Sequence, residues 1–211
     1  MIRIWSKIPA CLLVLAIWVP SAAAFTGSYE EMITIGDKPI AHFRVYAKEK
    51  NVRTEFLMEA QSEIIIRNAE GTFRYSGEQK MALKLPDLVP PQQTLLDHLD
   101  DYLGFLQKNG AVNKGGEKVG DLETDIYEFL DPMTQKQAKA WVWREKSFPL
   151  KIEIEAPEGL LRVEMKDIQI AVPVDDALFA LPEETKVIDL NEMYGPQAQA
   201  NEEAADDSQT S

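Results

Sequence analysis

The chain has 211 residues, and its 35 acidic against 22 basic residues give a net charge of −13 at pH 7. A chain this acidic repels phosphate backbones and anionic lipid headgroups. This charge argues against nucleic-acid binding and against electrostatic docking to a membrane surface.

The first 24 residues have the order of a secretory signal. Arg3 and Lys7 form a positive start, residues 10–19 are an apolar run, and residues 22–24 are the alanines of a cleavage site. A bilayer span needs about 20 apolar residues, and this run is much shorter. We therefore expect export, with cleavage before Phe25. A retained membrane anchor and a buried amphipathic helix are the alternatives.

Removing residues 1–24 changes the composition in two ways. The one cysteine, Cys11, leaves with the signal, so the mature chain has no disulfide, no thiol nucleophile and no thiolate metal ligand. Loss of Arg3 and Lys7 leaves 20 basic against 35 acidic residues, a net charge of −15. The remaining length, residues 25–211, suits one domain with a sizeable core.

Short alternating segments predict β-strands through the first half of the mature chain. The predicted strands are 29–35, 40–47, 52–58, 63–67, 72–76 and 80–85. Turn-forming residues separate them, as in the run Gly36 to Pro39. Several short strands at near-regular spacing favour an antiparallel sheet or a partial barrel.

One strong helix interrupts the strands. Pro90 and Pro91 open it, and Asn109 and Gly110 end it. Its apolar side chains fall on one helical face: Leu95, Leu96, Leu99, Tyr102, Leu103 and Leu106. The glycine- and lysine-containing segment 109–120 is predicted to be a loop.

The second half of the chain predicts a meander of antiparallel strands. These strands cover 126–130, 138–144, 148–156 and 160–166, and the last two are joined by a turn that contains Pro157 and Gly159. One helical turn at 175–178 and a short strand at 186–190 complete the predicted domain, 25–193. Residues 194–211 are acidic without apolar periodicity, and we predict that they are disordered.

No catalytic or metal-binding motif stands out in the sequence. Gly110 and Gly115 have the spacing of phosphate-loop glycines, but the lysine and hydroxyl residue that must follow are absent. His98 and Asp101 fit the solvated face of a helix better than a metal site. Trp141 and Trp143 share a strand face, where sheet packing and ligand lining are both possible. We predict a protein that is not an enzyme and that uses neither a cofactor nor a metal.

Three segments resemble the LolA/LolB-like superfamily of periplasmic lipoprotein-sorting proteins. The first is 62–80, a strand, a glycine turn and an aromatic strand; the second, 125–165, is similar to the pattern Y-x-x-x-D-P, W-V, P-L-K-x-E; the third is 177–189. The resemblance implies a mostly β fold with one or two helices. It also implies an antiparallel, incomplete β-barrel or strongly curved sheet, with a helix on its concave apolar face.

Together with the export signal, the resemblance implies a carrier or sensor in the periplasm of a Gram-negative type envelope, which binds an acyl chain, a lipid or a lipoprotein. Ten apolar residues are expected to line the binding surface: Phe43, Val45, Phe56, Met58, Leu99, Leu103, Leu150, Ile152, Leu161 and Val163. The alternative is an envelope interaction protein whose interior is filled by its own side chains. Neither interpretation involves nucleic acid or stable membrane insertion.

Overall fold

The structure is a computed structural model, and it describes residues 25–58, 63–86, 99, 101–132, 134–190 and 192. The predicted signal peptide, the predicted tail 194–211 and the predicted helical residues 90–98 lie outside this part of the chain. No helix among the described residues is long and apolar enough to cross a bilayer.

The described elements are mainly β-strands. In chain order the strands are β1 (Gly27–Ile35), β2 (Lys38–Lys48), β3 (Asn51–Phe56), β4 (Glu63–Asn68), β5 (Gly71–Ser76), β6 (Met81–Leu85), β7 (Val112–Val119), β8 (Leu122–Leu130), β9 (Gln137–Trp143), β10 (Phe148–Ala156), β11 (Gly159–Ile170) and β12 (Lys186–Asp189). The helix α1 spans Tyr102–Lys108, and a 3₁₀ helix spans Asp176–Phe179.

All twelve strands form one sheet, in the order β12-β6-β5-β4-β3-β2-β1-β11-β10-β9-β8-β7. Two antiparallel meanders, β1–β6 and β7–β11, are joined where β1 pairs with β11. The exception to the antiparallel pattern is β12, which returns from the far end of the chain and runs parallel to β6. The sheet is curved and open, and it does not close into a barrel, which confirms the predicted fold class.

Alternation along the strands gives the sheet two different faces. The inner face carries the apolar core, including Tyr29 and Ile33 of β1. Helix α1 packs on this face through its buried Tyr102, Phe105 and Leu106, as the spacing of its apolar residues predicts. The outer face carries ion pairs such as that of Glu30 with Arg44.

Helix α1 begins at Tyr102, within the second half of the predicted helix, whose residues 90–98 lie outside the described part of the chain. Asp101 is the N-cap of α1, and its carboxylate accepts a hydrogen bond from the backbone N–H of Gly104 at 3.0 Å. An aspartate in this position satisfies a free amide of the first turn and starts a helix. Leu99 therefore precedes the helix, although it is buried as predicted.

Two other predictions are corrected by the strand boundaries. The predicted loop 109–120 contains β7, an edge strand with exposed side chains on both faces, so no apolar alternation marks it. A bulge at Gly115, where φ is 105°, keeps it paired with β8. The third strand ends at Phe56, so Met58 lies beyond it and is 43% exposed.

Candidate functional site

The sheet opens between β10 and β11 at one end of their shared ladder. The two strands pair from Ala156 with Gly159 as far as Lys151 with Glu164. Beyond that point, within the described chain, β10 pairs only with β9, and the rest of β11 pairs only with β1. We name the opening between residues 148–150 and 165–168 the fork.

Local sequence explains why the ladder stops there. Pro149 has no N–H to donate to a neighbouring strand. The pairing of β10 with β9 shifts register between Pro149 and Lys151, which leaves Leu150 as an extra residue. In β11 the pairing with β1 shifts near Asp167, whose φ is 48°. Bulges bend a strand and increase its twist, so both strands turn away from the shared ladder.

A cleft of about 500 Å³ lies at the fork, a volume within the usual range for small-molecule pockets. Its lining is Val119, Gly120, Leu122, Trp143, Leu150, Lys151, Glu164, Met165, Lys166, Asp167 and Ile168. Leu150 and Met165 belong to the inner face, whereas their chain neighbours Lys151 and Glu164 belong to the outer face. The cleft therefore reaches both faces of the sheet.

The cleft combines apolar walls with charged side chains. Apolar side chains form its walls, and two lysines and two acids lie among its lining residues. Nζ of Lys166 lies 3.2 Å from a carboxylate oxygen of Glu164. The lining contains no histidine, cysteine or serine that could serve as a base or nucleophile. Among the described residues, no three metal-ligating side chains cluster.

A row of inner-face residues leads across the sheet toward the fork. Phe56 pairs with Phe43, Phe43 with Glu31, and Glu31 with Met165 of the cleft wall. Leu150 lies on the other side of the fork. The row is apolar except for one carboxyl group near its middle.

Glu31 is unusual for a glutamate in a core. It is 3% exposed, and its Oε1 has no hydrogen-bond partner among the described residues. Burial raises the pKa of Glu31 to about 8, because the charged form loses its hydration. The carboxyl is therefore mostly protonated at neutral pH. Sequence reasoning missed this residue, although alternation from Tyr29 and Ile33 places position 31 on the inner face.

The structure brings nine of the ten predicted binding residues together, mainly as a packed core. Six are buried there: Phe43, Val45, Leu99, Leu150, Ile152 and Val163. Three more are partly buried against it: Phe56, Leu103 and Leu161. Met58 is the exposed exception. Of these residues, Leu150 lines the cleft, together with Trp143, for which the sequence left ligand lining open.

The two strand tryptophans have separate environments. Trp143 lines the cleft. Trp141 is 3% exposed; Nζ of Lys151 lies 3.5 Å from its ring centroid, and its indole N–H donates to Glu117. These contacts fit the packing role for Trp141 and leave Trp143 as a residue that a ligand could touch.

Comparison with known proteins agrees with this architecture. No protein-family model matches the chain, and no curated protein matches it by sequence. Among solved structures, the MucA/MucB complex of Pseudomonas aeruginosa aligns with a TM-score of 0.51 and 13% identity over 80% of this chain. An uncharacterised conserved protein from Thermus thermophilus aligns with a TM-score of 0.53 and 9% identity over 80% of this chain and 94% of its own.

A LolA superfamily protein from Nitrosomonas europaea aligns over 77% of this chain and 91% of its own, with 11% identity and a TM-score of 0.33. The chain spans only 59% of the aligned chain in the MucA/MucB structure. Identities this low show a shared fold and nothing about activity. The chain shares its overall fold with the MucA/MucB and Thermus thermophilus structures.

Proposed function

We propose that the protein is a non-enzymatic carrier or sensor of the periplasm that binds an apolar chain, such as the acyl chain of a lipid or lipoprotein. The observation that supports this proposal is the cleft at the fork. It has apolar walls, charged side chains beside them, and lining residues from both faces of the sheet. An acyl chain could lie along the walls while its polar end stays in water.

Burial supplies the driving force for such binding. Each methylene removed from water contributes about 0.8 kcal/mol, so a segment of about eight methylenes contributes roughly 6 kcal/mol before the costs of ordering and association. Charge contributes little, because the acidic chain repels anionic headgroups. Affinity should therefore depend only weakly on salt concentration.

Nine of the ten predicted binding residues, all except the exposed Met58, keep a place in this proposal. Leu150 belongs both to the cleft and to the core. A chain entering the fork would next meet the inner-face row that contains Phe43 and Phe56. Longer chains would extend along this row by displacing core contacts, whereas short chains would occupy the cleft alone.

Two valines of β7 provide a matched test. Val119 lines the cleft, whereas Val112, at the other end of the same strand, is 55% exposed and lies outside it. A fluorescent fatty acid should bind the mature protein saturably. Val119→Glu should weaken binding at least tenfold because it places a charge against the chain, and Val112→Glu should leave binding unchanged.

Circular dichroism melting should show that both variants fold. Saturable binding that Val119→Glu does not affect would place the ligand outside the cleft. No saturable binding by the wild-type protein would reject the carrier proposal.

The second candidate is an envelope interaction protein. MucB, which has a similar fold, is known in complex with MucA. Among the described strands, β7 lies at the edge of the sheet, where a partner could add a strand. The bulge at Gly115 and the neighbouring lysines disfavour non-specific pairing of this edge with strands of other proteins. Asn113→Pro would remove one backbone donor from β7. Loss of a co-purifying envelope protein in this variant, without loss of fatty-acid binding, would favour this second function.

A further inference from the structure

We propose that Glu31 recognises the polar group of the ligand: its carboxyl O–H donates a hydrogen bond to the carbonyl oxygen of an acyl ester or acyl amide that enters through the fork. This inference rests on the proposed function and narrows it. It names neutral, carbonyl-bearing acyl compounds as the ligand class, in preference to plain hydrocarbons and alkyl amines.

The position of Glu31 relative to the cleft is the first argument. Glu31 and Met165 are cross-strand partners, so their side chains share the inner face. Met165 lines the cleft, and the adjoining ladder between β10 and β11 is already open. Methionine is unbranched and flexible, and it repacks more readily than a branched side chain. Repacking of Met165 is the route by which a ligand in the cleft would reach the carboxyl of Glu31.

The surroundings of Glu31 are the second argument. Its cross-strand neighbours are Phe43 and Met165, and the flanking residues on its own face are Tyr29 and Ile33, so none of the four carries a charge at neutral pH. Desolvation is the cause of its raised pKa, and no nearby charge contributes. At neutral pH the group is therefore a hydrogen-bond donor in an apolar setting, and a carbonyl oxygen is its natural acceptor.

The cost of keeping this residue is the third argument. A buried carboxyl with an unpaired oxygen destabilises a fold, whereas a leucine of similar size would not. Positions that oppose stability in this way are most often functional. If Glu31 serves a ligand, Glu31→Leu should raise the melting temperature and at the same time weaken recognition. A merely structural role would not move these two quantities in opposite directions.

The test is displacement of a fluorescent fatty probe from the full mature protein. Four competitors of equal chain length are compared: a methyl ester, an N-methyl amide, a hydrocarbon and a primary alkyl amine. The wild-type protein at pH 7 should prefer the ester or the amide over the hydrocarbon by about tenfold, as one satisfied hydrogen bond allows. Whichever of these two compounds displaces the probe at the lower concentration shows whether the site prefers an acyl ester or an acyl amide.

Variants then test whether Glu31 causes this preference for carbonyl compounds. Glu31→Leu should abolish it, whereas Glu31→Gln, which keeps an N–H donor, should retain part of it and lose its pH dependence. The wild-type preference should fall between pH 7 and pH 9, as the carboxyl ionises. Glu30→Gln, on the other face of the same strand, is the matched control and should keep the full preference.

The outcomes separate the two proposals. Equal displacement by ester and hydrocarbon in the wild-type protein would overturn the role of Glu31 while leaving an apolar binding site. A preference for the carbonyl compounds that persists in the Glu31→Leu variant would also overturn the role of Glu31. Stronger displacement by the amine would do the same. Failure of all four competitors to displace the probe, or of the probe to bind, would instead reject the proposed function itself.

Discussion

Glu30 and Glu31 are neighbours on β1, and they differ in almost every physical property because they point to opposite faces of the sheet. On the outer face, hydrogen bonds from Arg44 to the Glu30 carboxylate, with a smaller contribution from His42, hold the pKa of Glu30 below its ordinary value. On the inner face, burial raises the pKa of Glu31 to about 8. A register slip of one residue along β1 would exchange the two environments.

The two faces also contribute differently to stability. Outer-face ion pairs, such as that of Arg162 with Glu153 at 3.0 Å, are partly exposed to water, and pairs of this kind contribute about 0 to 1 kcal/mol each. Core side chains such as Ile152 on the inner face, and Leu106 of α1 packed against that face, are fully buried, and each contributes roughly 1.5 to 3 kcal/mol. Burial of one such side chain therefore contributes more than one of these ion pairs, and a polar group placed on the inner face carries an energetic cost.

The largest loss of folding stability should come from placing a charge in the core at Leu99. This side chain is 6% exposed and belongs to the core with α1. Leu99→Asp removes a buried apolar group and strands a carboxylate, so we expect a loss of about 4 kcal/mol or more in the free energy of unfolding. Urea denaturation would measure this loss.

The control for Leu99→Asp is Glu155→Ala, a change at an exposed position of β10. It should alter the free energy of unfolding by no more than about 0.5 kcal/mol. Equal denaturation midpoints for the two variants would show that the segment before α1 does not pack on the sheet.

The alternation of apolar and polar residues along the strands was sufficient to predict most of the fold. The alternation of Leu150, Ile152 and Ile154 with charged residues predicted β10, and the structure buries all three. The parallel pairing of β12 with β6 could not be predicted, because four residues carry no information about which distant strand they join. Strand β7 was missed because an edge strand exposed on both faces has no apolar period to detect.

The candidate site was harder to predict than the fold. The apolar period identified Phe43 and Val163 as inner-face residues, but it cannot distinguish a packed core from a ligand surface. The fork depends on two bulges, at Leu150 and near Asp167, and bulges are defined by pairing between strands. Pro149 was the available local signal, since proline interrupts a ladder on one side.

A smaller effect should appear when the pH is varied around the pKa of Glu31. Between its ordinary pKa of 4.5 and about 8, the folded protein keeps the proton and the unfolded chain loses it. The stabilisation that the protonated Glu31 provides is therefore fully present below about pH 4.5. It decreases as the pH rises and is lost above about pH 8. The total change should be on the order of a few kcal/mol.

The measurement is the difference in unfolding free energy between wild-type protein and Glu31→Gln from pH 4 to pH 9. Glutamine does not titrate, so the wild-type protein should lose stability relative to the variant as the pH increases. Glu155→Gln serves as the exposed control and should parallel the wild-type curve. Parallel curves for Glu31→Gln as well would mean that the carboxyl is ionised in the folded protein.

The smallest change in stability should come from Glu30, and its dependence on pH should be opposite to that of Glu31. Because its pKa is lowered in the folded state, its contribution is present above the ordinary pKa and is lost as the pH falls through the lowered value. Glu30→Gln should cost about 0.5 to 1 kcal/mol at pH 7, less in 1 M salt, and almost nothing near pH 2. Urea denaturation at these three conditions tests the claim. A cost near that of Leu99→Asp would show that the outer-face ion pair is not screened by water, and the contrast between the two faces would then fail at its clearest pair of residues.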